Sequence, residues 1–313
     1  MSEIATQETP VVLTDDQNYT DQHRNSDFDL NPMEISMTYS MFEAVERLTR
    51  KDLRAAGQIL LDKEAQFLVS MYYIFQKDRI RCSNQKIQLE KVEEPNLLLS
   101  VFSAQFERIE QSIKKALEDY NNTKSIGRWL MSIYGIGPVI TSGLISNIDI
   151  ARSPTAGHIQ SFCGYNPNMV WEKGQKRPYA AHMKTLCWHI GQSFMKFSGR
   201  DQCYYGKLYL ERKKYEIANN DSGKLAAYAA KMLAEKNYDQ SKETYKILAS
   251  GKLPPGQIDA RARRWAVKIF LSHLQQVWWE MEFNEPAPKP FAVAHLGHAH
   301  IIPPTNYTPL KSV

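Results

Sequence analysis

The tetrapeptide Gly135-Ile136-Gly137-Pro138 sits inside a stretch, residues 129–148, that carries no charge and is bounded by Arg128 and Asp149. Glycine costs about 1 kcal/mol and proline about 3 kcal/mol in a helix interior, whereas proline suits a first helical turn. The stretch therefore reads as two short helices meeting at a tight corner, and not as one membrane-crossing helix. Glycine at such a corner tolerates positive φ and has no side chain to block a close approach. The backbone N–H groups of Gly137 and the residues after it can then face a phosphate oxygen beside a helix N-terminus. Gly135, Ile136 and Gly137 are thus candidate nucleic-acid contacts of a helix-hairpin-helix. The plain alternative is a turn that joins two core helices.

Two groups of cations could accompany that corner. Lys173, Lys176 and Arg177 crowd the turn "WEKGQKRP", and Arg261, Arg264 and Lys268 recur at helical spacing opposite an apolar stripe of Ala262, Ala266, Phe270, Leu274 and Val277. Both are candidate phosphate contacts, and both could equally be solvated faces. His295, His298 and His300 in "HLGHAH" are close enough to suggest a metal, but no cysteine lies nearby to complete a zinc set, so no metal or other cofactor is expected. No P-loop, Gly-x-Ser-x-Gly or His-Glu-x-x-His pattern is present, and no catalytic residue is assigned.

The 313 residues carry a formal charge of +5, but it is unevenly spread. Residues 1–30 hold seven acids against Arg24 alone, which leaves +11 on residues 31–313. A basic body fits a polyanionic partner, DNA or alternatively RNA, and no membrane. Cys82, Cys163, Cys187 and Cys203 show no C-x-x-C spacing and are expected as reduced thiols. The acidic, polar N-terminus lacks the order of a signal peptide, so a cytoplasmic location is expected.

Helical periodicity begins near Asn31, and the expected fold is mainly α. Residues 1–30 read as a disordered acidic tail, 31–121 as a helical hairpin or coiled-coil arm and 122–200 as the helix-hairpin-helix domain. Residues 201–284 read as a helical C-terminal region and 285–313 as an extended, proline-rich tail. In the arm, Leu68, Met71, Tyr72 and Phe75 form a stripe with Asp62 as its cap. Phe102, Phe106, Ile109, Ile113, Ala116 and Tyr120 form a heptad seam that wants a partner helix, either its neighbour in the hairpin or a second copy bound through residues 97–120. Ser153 and Pro154 read as a cap and first turn of a helix ending at Gly164. Further helices are expected near residues 180–197, 204–218, 222–236, 241–250 and 257–283.

Residues 126–194 resemble a known family. The order of the paired-glycine corner, the connector "IDI", a helix leading into "GYNP", a basic turn and a further helix is similar to the C-terminal domain of insertion-sequence transposases grouped with the Piv/MooV invertases, the DEDD recombinases guided by a bridge RNA. Gly135, Gly137, Asp149, Phe162, Gly164 and Pro167 carry the match. The resemblance implies DNA recombination on a mobile element, such as a phage. It also implies an N-terminal RuvC-like domain with four metal-holding carboxylates, whereas the 125 residues before the matching stretch show helical periodicity and no apolar strand presenting an Asp. The family's nucleophilic serine belongs to a Ser-Gly pair, where this chain has Lys173-Gly174. Ser161 and Ser193 lie nearby, but neither fits that motif.

These readings converge on a sequence-nonspecific DNA-binding protein derived from a transposase, with strand-transfer chemistry lost. Two alternatives stand beside it: a component of an active transposase that works with a partner nuclease, and a helical scaffold assembled through the 97–120 seam.

Overall fold

Residues 49–288 and 302–310 are described in the computed structural model, and the compact unit begins at Arg50. Among the described residues there are eleven helices and no strand, so the fold is mainly α. Helix α1 (Arg50–Ile59) precedes the long hairpin of α2 (Asp62–Lys91) and α3 (Leu97–Asn122). The hairpin is antiparallel, because Asp62 meets Tyr120, Phe75 meets Phe106 and Ser83 meets Ser103.

Four of the six expected seam residues of this hairpin, Phe106, Ile113, Ala116 and Tyr120, face inward, and the seam departs from the expected row at the other two. Phe102 and Ile109 are exposed, while Phe106, Glu110, Ile113, Leu117 and Tyr120 face inward. Both rows have 4,3 spacing, so period alone could not separate them. What disguised the true row is Glu110, buried because Arg79 donates to both of its carboxylate oxygens at 2.6 and 3.2 Å. Asp62 is also not a cap. It is the first helical residue after Leu61, and it accepts hydrogen bonds from Tyr120 Oη and Lys124 Nζ, both at 2.6 Å. Those bonds tie the start of α2 to the end of α3.

The uncharged stretch forms α4 (Ser125–Met131), a turn, and α5 (Pro138–Ile145), as its glycines and proline imply. No helix among the described residues is long and apolar enough to cross a membrane. Helix α5 is short yet almost wholly buried; the Thr141 hydroxyl has no hydrogen-bond partner there, while Ser142 is met from α3. Asn121, fully buried, donates through Nδ2 to the Pro138 carbonyl at 2.9 Å and accepts from Ser142 Oγ at 2.7 Å.

Helix α6 (Ala156–Phe162) starts later than expected. Thr155 is the extended N-cap residue, so Ser153 and Pro154 precede the helix, and Gly164 follows its end at φ +70° as anticipated. Next come α7 (Ala181–Lys196), α8 (Tyr204–Asp221), α9 (Ala226–Glu235), α10 (Glu243–Ala249) and α11 (Pro255–Phe283). Helix α8 runs three residues past its expected end because Asn220 is held in the fold, donating to the Leu253 carbonyl and accepting from the Leu253 N–H. One continuous apolar core runs from Ala65 to Trp278 and includes Leu117, Leu144, Phe194 and Phe270. A smaller cluster of Ala229, Leu248, Leu253 and Ile258 seats α9 and α10 on the start of α11.

Helix α11 is tied to α8 by a buried carboxylate: Glu216 accepts from Arg212 Nε at 2.8 Å and from Arg261 Nε at 2.7 Å. Farther along, His273 links α8 to the segment 302–310. The Ile302 carbonyl can only accept, so His273 Nε2 carries the proton and Nδ1 accepts from Tyr205 Oη at 2.9 Å. The same segment takes hydrogen bonds at Pro303 O from Tyr204 Oη and at Thr305 O from Trp129 Nε1. The acidic segment 1–30 and His295, His298 and His300 lie outside the described residues.

These buried groups set a pH dependence. Burial holds the His273 imidazole down at about 4. An unfolded chain takes up that proton near pH 6.5, so stability is full above that pH and declines as pH falls toward 4. Burial pushes the Glu216 carboxyl up, but hydrogen bonds from Arg261 and Arg212 outweigh it and leave the group below its ordinary range. Its contribution is present above the unfolded carboxylate range and lost as pH falls below it. Urea midpoints between pH 7 and 3 should therefore fall in two phases, and His273→Phe should remove the upper one; an unchanged upper phase would contradict the assignment.

Candidate nucleic-acid interface

The glycine corner has two unlike sides. Ile136 is buried, with its N–H bonded to Ile133 O at 2.9 Å, so its side chain belongs to the core. Gly135 adopts φ +97° and faces α7: Ser193 Oγ donates to its carbonyl, and an added Cβ would stand 3.2 Å from that same oxygen and within reach of Phe194 and Phe197. Gly137 caps α5 in ordinary extended geometry, φ −99° and ψ 176°, and a Cβ there would meet nothing within 4 Å. Among the described residues, no acceptor is bonded to the N–H groups of Gly137, Val139 or Ile140, and Pro138 has none to offer. The open side of the corner is thus Gly137 at the start of α5.

The end of α7, which carries Lys196 and runs on to Arg200, packs on the Tyr134 and Gly135 side of the corner. Tyr134 packs edge-on against Phe197 at 5.4 Å, and Lys196 Nζ lies 5.7 Å over the same Phe197 ring. Arg200, exposed, follows in a turn whose Cys203 thiol donates to the Tyr134 carbonyl at 3.7 Å. A regional charge count would have pointed here. Residues 151–200 contain seven Lys or Arg and one acid, Glu172, although the whole-chain charge is only +5.

Lys173, Lys176 and Arg177 are all exposed on the turn before α7. Gly174 at φ +96° shapes that turn, Trp171 Nε1 donates to Gln175 O at 2.8 Å, and Arg177 lies 5.2 Å over the Trp171 ring. The turn runs into the first turn of α7, where Lys184 Nζ is 4.4 Å over Tyr179. Gly135 touches the last turn of α7 through Ser193, Phe194 and Phe197. At 1.5 Å per residue, Lys184 and Ser193 are about 14 Å apart along the helix, so corner and basic turn attach to opposite ends of α7.

The three cations of α11 are not alike. Arg261 is committed to Glu216 and lies 5.4 Å over the Tyr228 ring. Arg264 is exposed, and Lys268 is half-buried beside α6, where burial lowers its ammonium pKa. Arg264 and Lys268 keep charges without a carboxylate partner among the described residues, whereas Arg261 works inside the fold. Sequence spacing placed all three on one stripe, but the packing of α8 decided their partners.

For chemistry, the described residues offer no group of three or more His, Cys, Asp or Glu side chains placed to share a metal ion. Ser193 is spent on the Gly135 carbonyl, and Ser161 Oγ accepts from Asn166 Nδ2 at 3.1 Å. Neither serine has a base at hydrogen-bond distance. Among the described residues the corner offers main-chain donors and the surface offers cations, and neither serine is an activated nucleophile.

The two glycines should respond differently to alanine. Gly135→Ala forces a side chain into a positive-φ conformation against Ser193 and should cost roughly 1–2 kcal/mol, while Gly137→Ala should leave the urea midpoint unchanged. Equal loss in both variants would mean that the start of α5 is not open. No curated protein and no solved structure matches the chain. Residues 127–205, which carry the glycine corner, the basic turn and α7, match the model of the transposase IS116/IS110/IS902 family, and this quarter of the chain is similar to that family's C-terminal domain.

Proposed function

We propose that the chain is a transposase-derived DNA-binding protein that holds the phosphate backbone without reading bases and no longer carries out strand transfer. The observation that carries this reading is the open Gly137 corner at the start of α5, where the N–H groups of Gly137, Val139 and Ile140 have no acceptor among the described residues, inside the transposase-family match. In this reading α4 and α5 act as a helix-hairpin-helix. Oriented amides beside a helix N-terminus favour an anion, and such contacts position a duplex without specifying its sequence. Lys173, Lys176, Arg177, Arg264 and Lys268 extend the cationic surface, and Arg261 supports it from within.

Two features support the loss of chemistry. The place that the resemblance gives to the family's serine holds Lys173, which cannot form a phosphoserine linkage, and neither Ser161 nor Ser193 has a base at hydrogen-bond distance. The protein would act in the cytoplasm, where a mobile element's DNA is accessible. A second reading, an interaction role for the hairpin, is favoured by one observation: Leu97, Leu98 and Phe102 at its tip are more than half exposed. Sedimentation of the purified protein with and without DNA tests that reading, which requires self-association in the absence of DNA.

Gly137→Leu should weaken duplex binding severalfold with an unchanged unfolding midpoint, and Lys196→Glu with Arg200→Glu should do the same. Undiminished affinity in both would remove the corner from the interface. The affinity should fall by about 0.9 log units per log unit of salt for each phosphate neutralised. Purified protein with magnesium should neither nick nor join DNA; cleavage would favour the active-transposase alternative.

A further inference from the structure

We propose that the face formed by Tyr179, Lys184 and Trp188, continued by Trp171 and Arg177, is a binding site for single-stranded DNA that works by stacking unpaired bases. It rests on the nucleic-acid reading above and is distinct from the glycine corner, centred on the first half of α7. Trp188 is 54% exposed, an unusual position for the largest side chain on a helix whose inner face is fully buried. It stands one turn beyond Lys184, at the i,i+4 spacing that puts both on the same face. Its ring is braced, not loose. Trp188 meets His189 at 5.1 Å and 74°, and His189 stacks on Tyr73 of α2 at 4.6 Å and 11°.

The cations around these rings have no acid to neutralise them. Lys184 lies over Tyr179 and Arg177 over Trp171, and neither these two nor Lys173 or Lys176 pairs with a carboxylate among the described residues. The contrast with α8 and α11 is instructive. There Arg212 lies over Tyr215 and Trp265, and Arg261 over Tyr228, but Glu216 takes both charges, so that cluster serves packing. At the start of α7 the charges remain available.

Alternating ring faces and free cations match the chemistry of an unpaired strand. Each base offers a π-face for stacking and each phosphate a negative charge, whereas a duplex hides its base faces. A peptide partner would have to be strongly acidic and aromatic-binding at once. Stacking does not read the 2′-hydroxyl. DNA is favoured because Trp171, Tyr179, Lys184 and Trp188 all lie within the residues matching a transposase family.

Fluorescence anisotropy of the full chain with labelled oligothymidylate, oligouridylate of equal length and a DNA duplex tests the proposal. Trp188→Ala should weaken oligothymidylate binding about fivefold or more, Trp188→Phe should retain most of it, and duplex binding should hold. Gly137→Leu should show the reverse pattern. Circular dichroism and the urea midpoint confirm folding, which an exposed ring should not affect. Strand binding that survives Trp188→Ala overturns this proposal while leaving the corner's role intact. Tighter binding of oligouridylate makes the occupant RNA and also overturns it, and failure of every polynucleotide to bind ends both readings.

Discussion

A buried asparagine at the end of α3 fixes the geometry on which the rest depends. Asn121 has no solvent to satisfy its amide, so it must find protein partners, and it finds them on α5 at Pro138 and Ser142. An unpaired buried amide costs about 1–3 kcal/mol, which makes this pairing a strong constraint on where α5 can lie. With α5 pinned against α3, the turn before it has one side packed on α7. The other side is left open. The Gly137 corner is available to a ligand because the helix behind it is immobilised on its remaining faces.

Helix α7 is the organising element for function. Its buried face, Met183, Leu186, Cys187, Ile190 and Phe194, is part of the main core and is wedged between α5 and α11. Its two ends emerge on the surface with different chemistry. The C-terminal end brings Lys196 to the glycine corner, where main-chain donors and charge dominate. The N-terminal end brings Lys184 beside the basic turn, with Tyr179 under its ammonium, and Trp188 stands exposed one turn farther along. A single helix therefore joins the glycine corner to the basic turn, and no flexible linker is needed between them.

The C-terminal segment 302–310 adds a further restraint. It has no regular secondary structure, yet its carbonyl groups accept from His273, Tyr204 and Trp129, and Asn306 donates to Ser132 at 3.0 Å. These contacts cover the Ser132 side of the corner and leave the Gly137 side alone. Burial keeps His273 neutral, which allows its two ring nitrogens to play opposite roles in the same chain of hydrogen bonds.

By itself the sequence determined the helical character, the two-helix break at Gly135, Gly137 and Pro138, the helix stop at Gly164 and the transposase-like order of residues 126–194. All of these are local, set by backbone propensity and by spacing within one element. Tertiary structure alone decided that Glu110 and not Ile109 faces inward on α3, since Glu110 becomes an interior residue only when Arg79 arrives from another helix. It likewise decided that Arg261 is neutralised while Lys196 stands beside the corner, because the partner of a charge is chosen by packing across segments tens of residues apart. Spacing along a chain fixes a residue's face on its own helix, but which neighbour that face meets is a property of the assembled core.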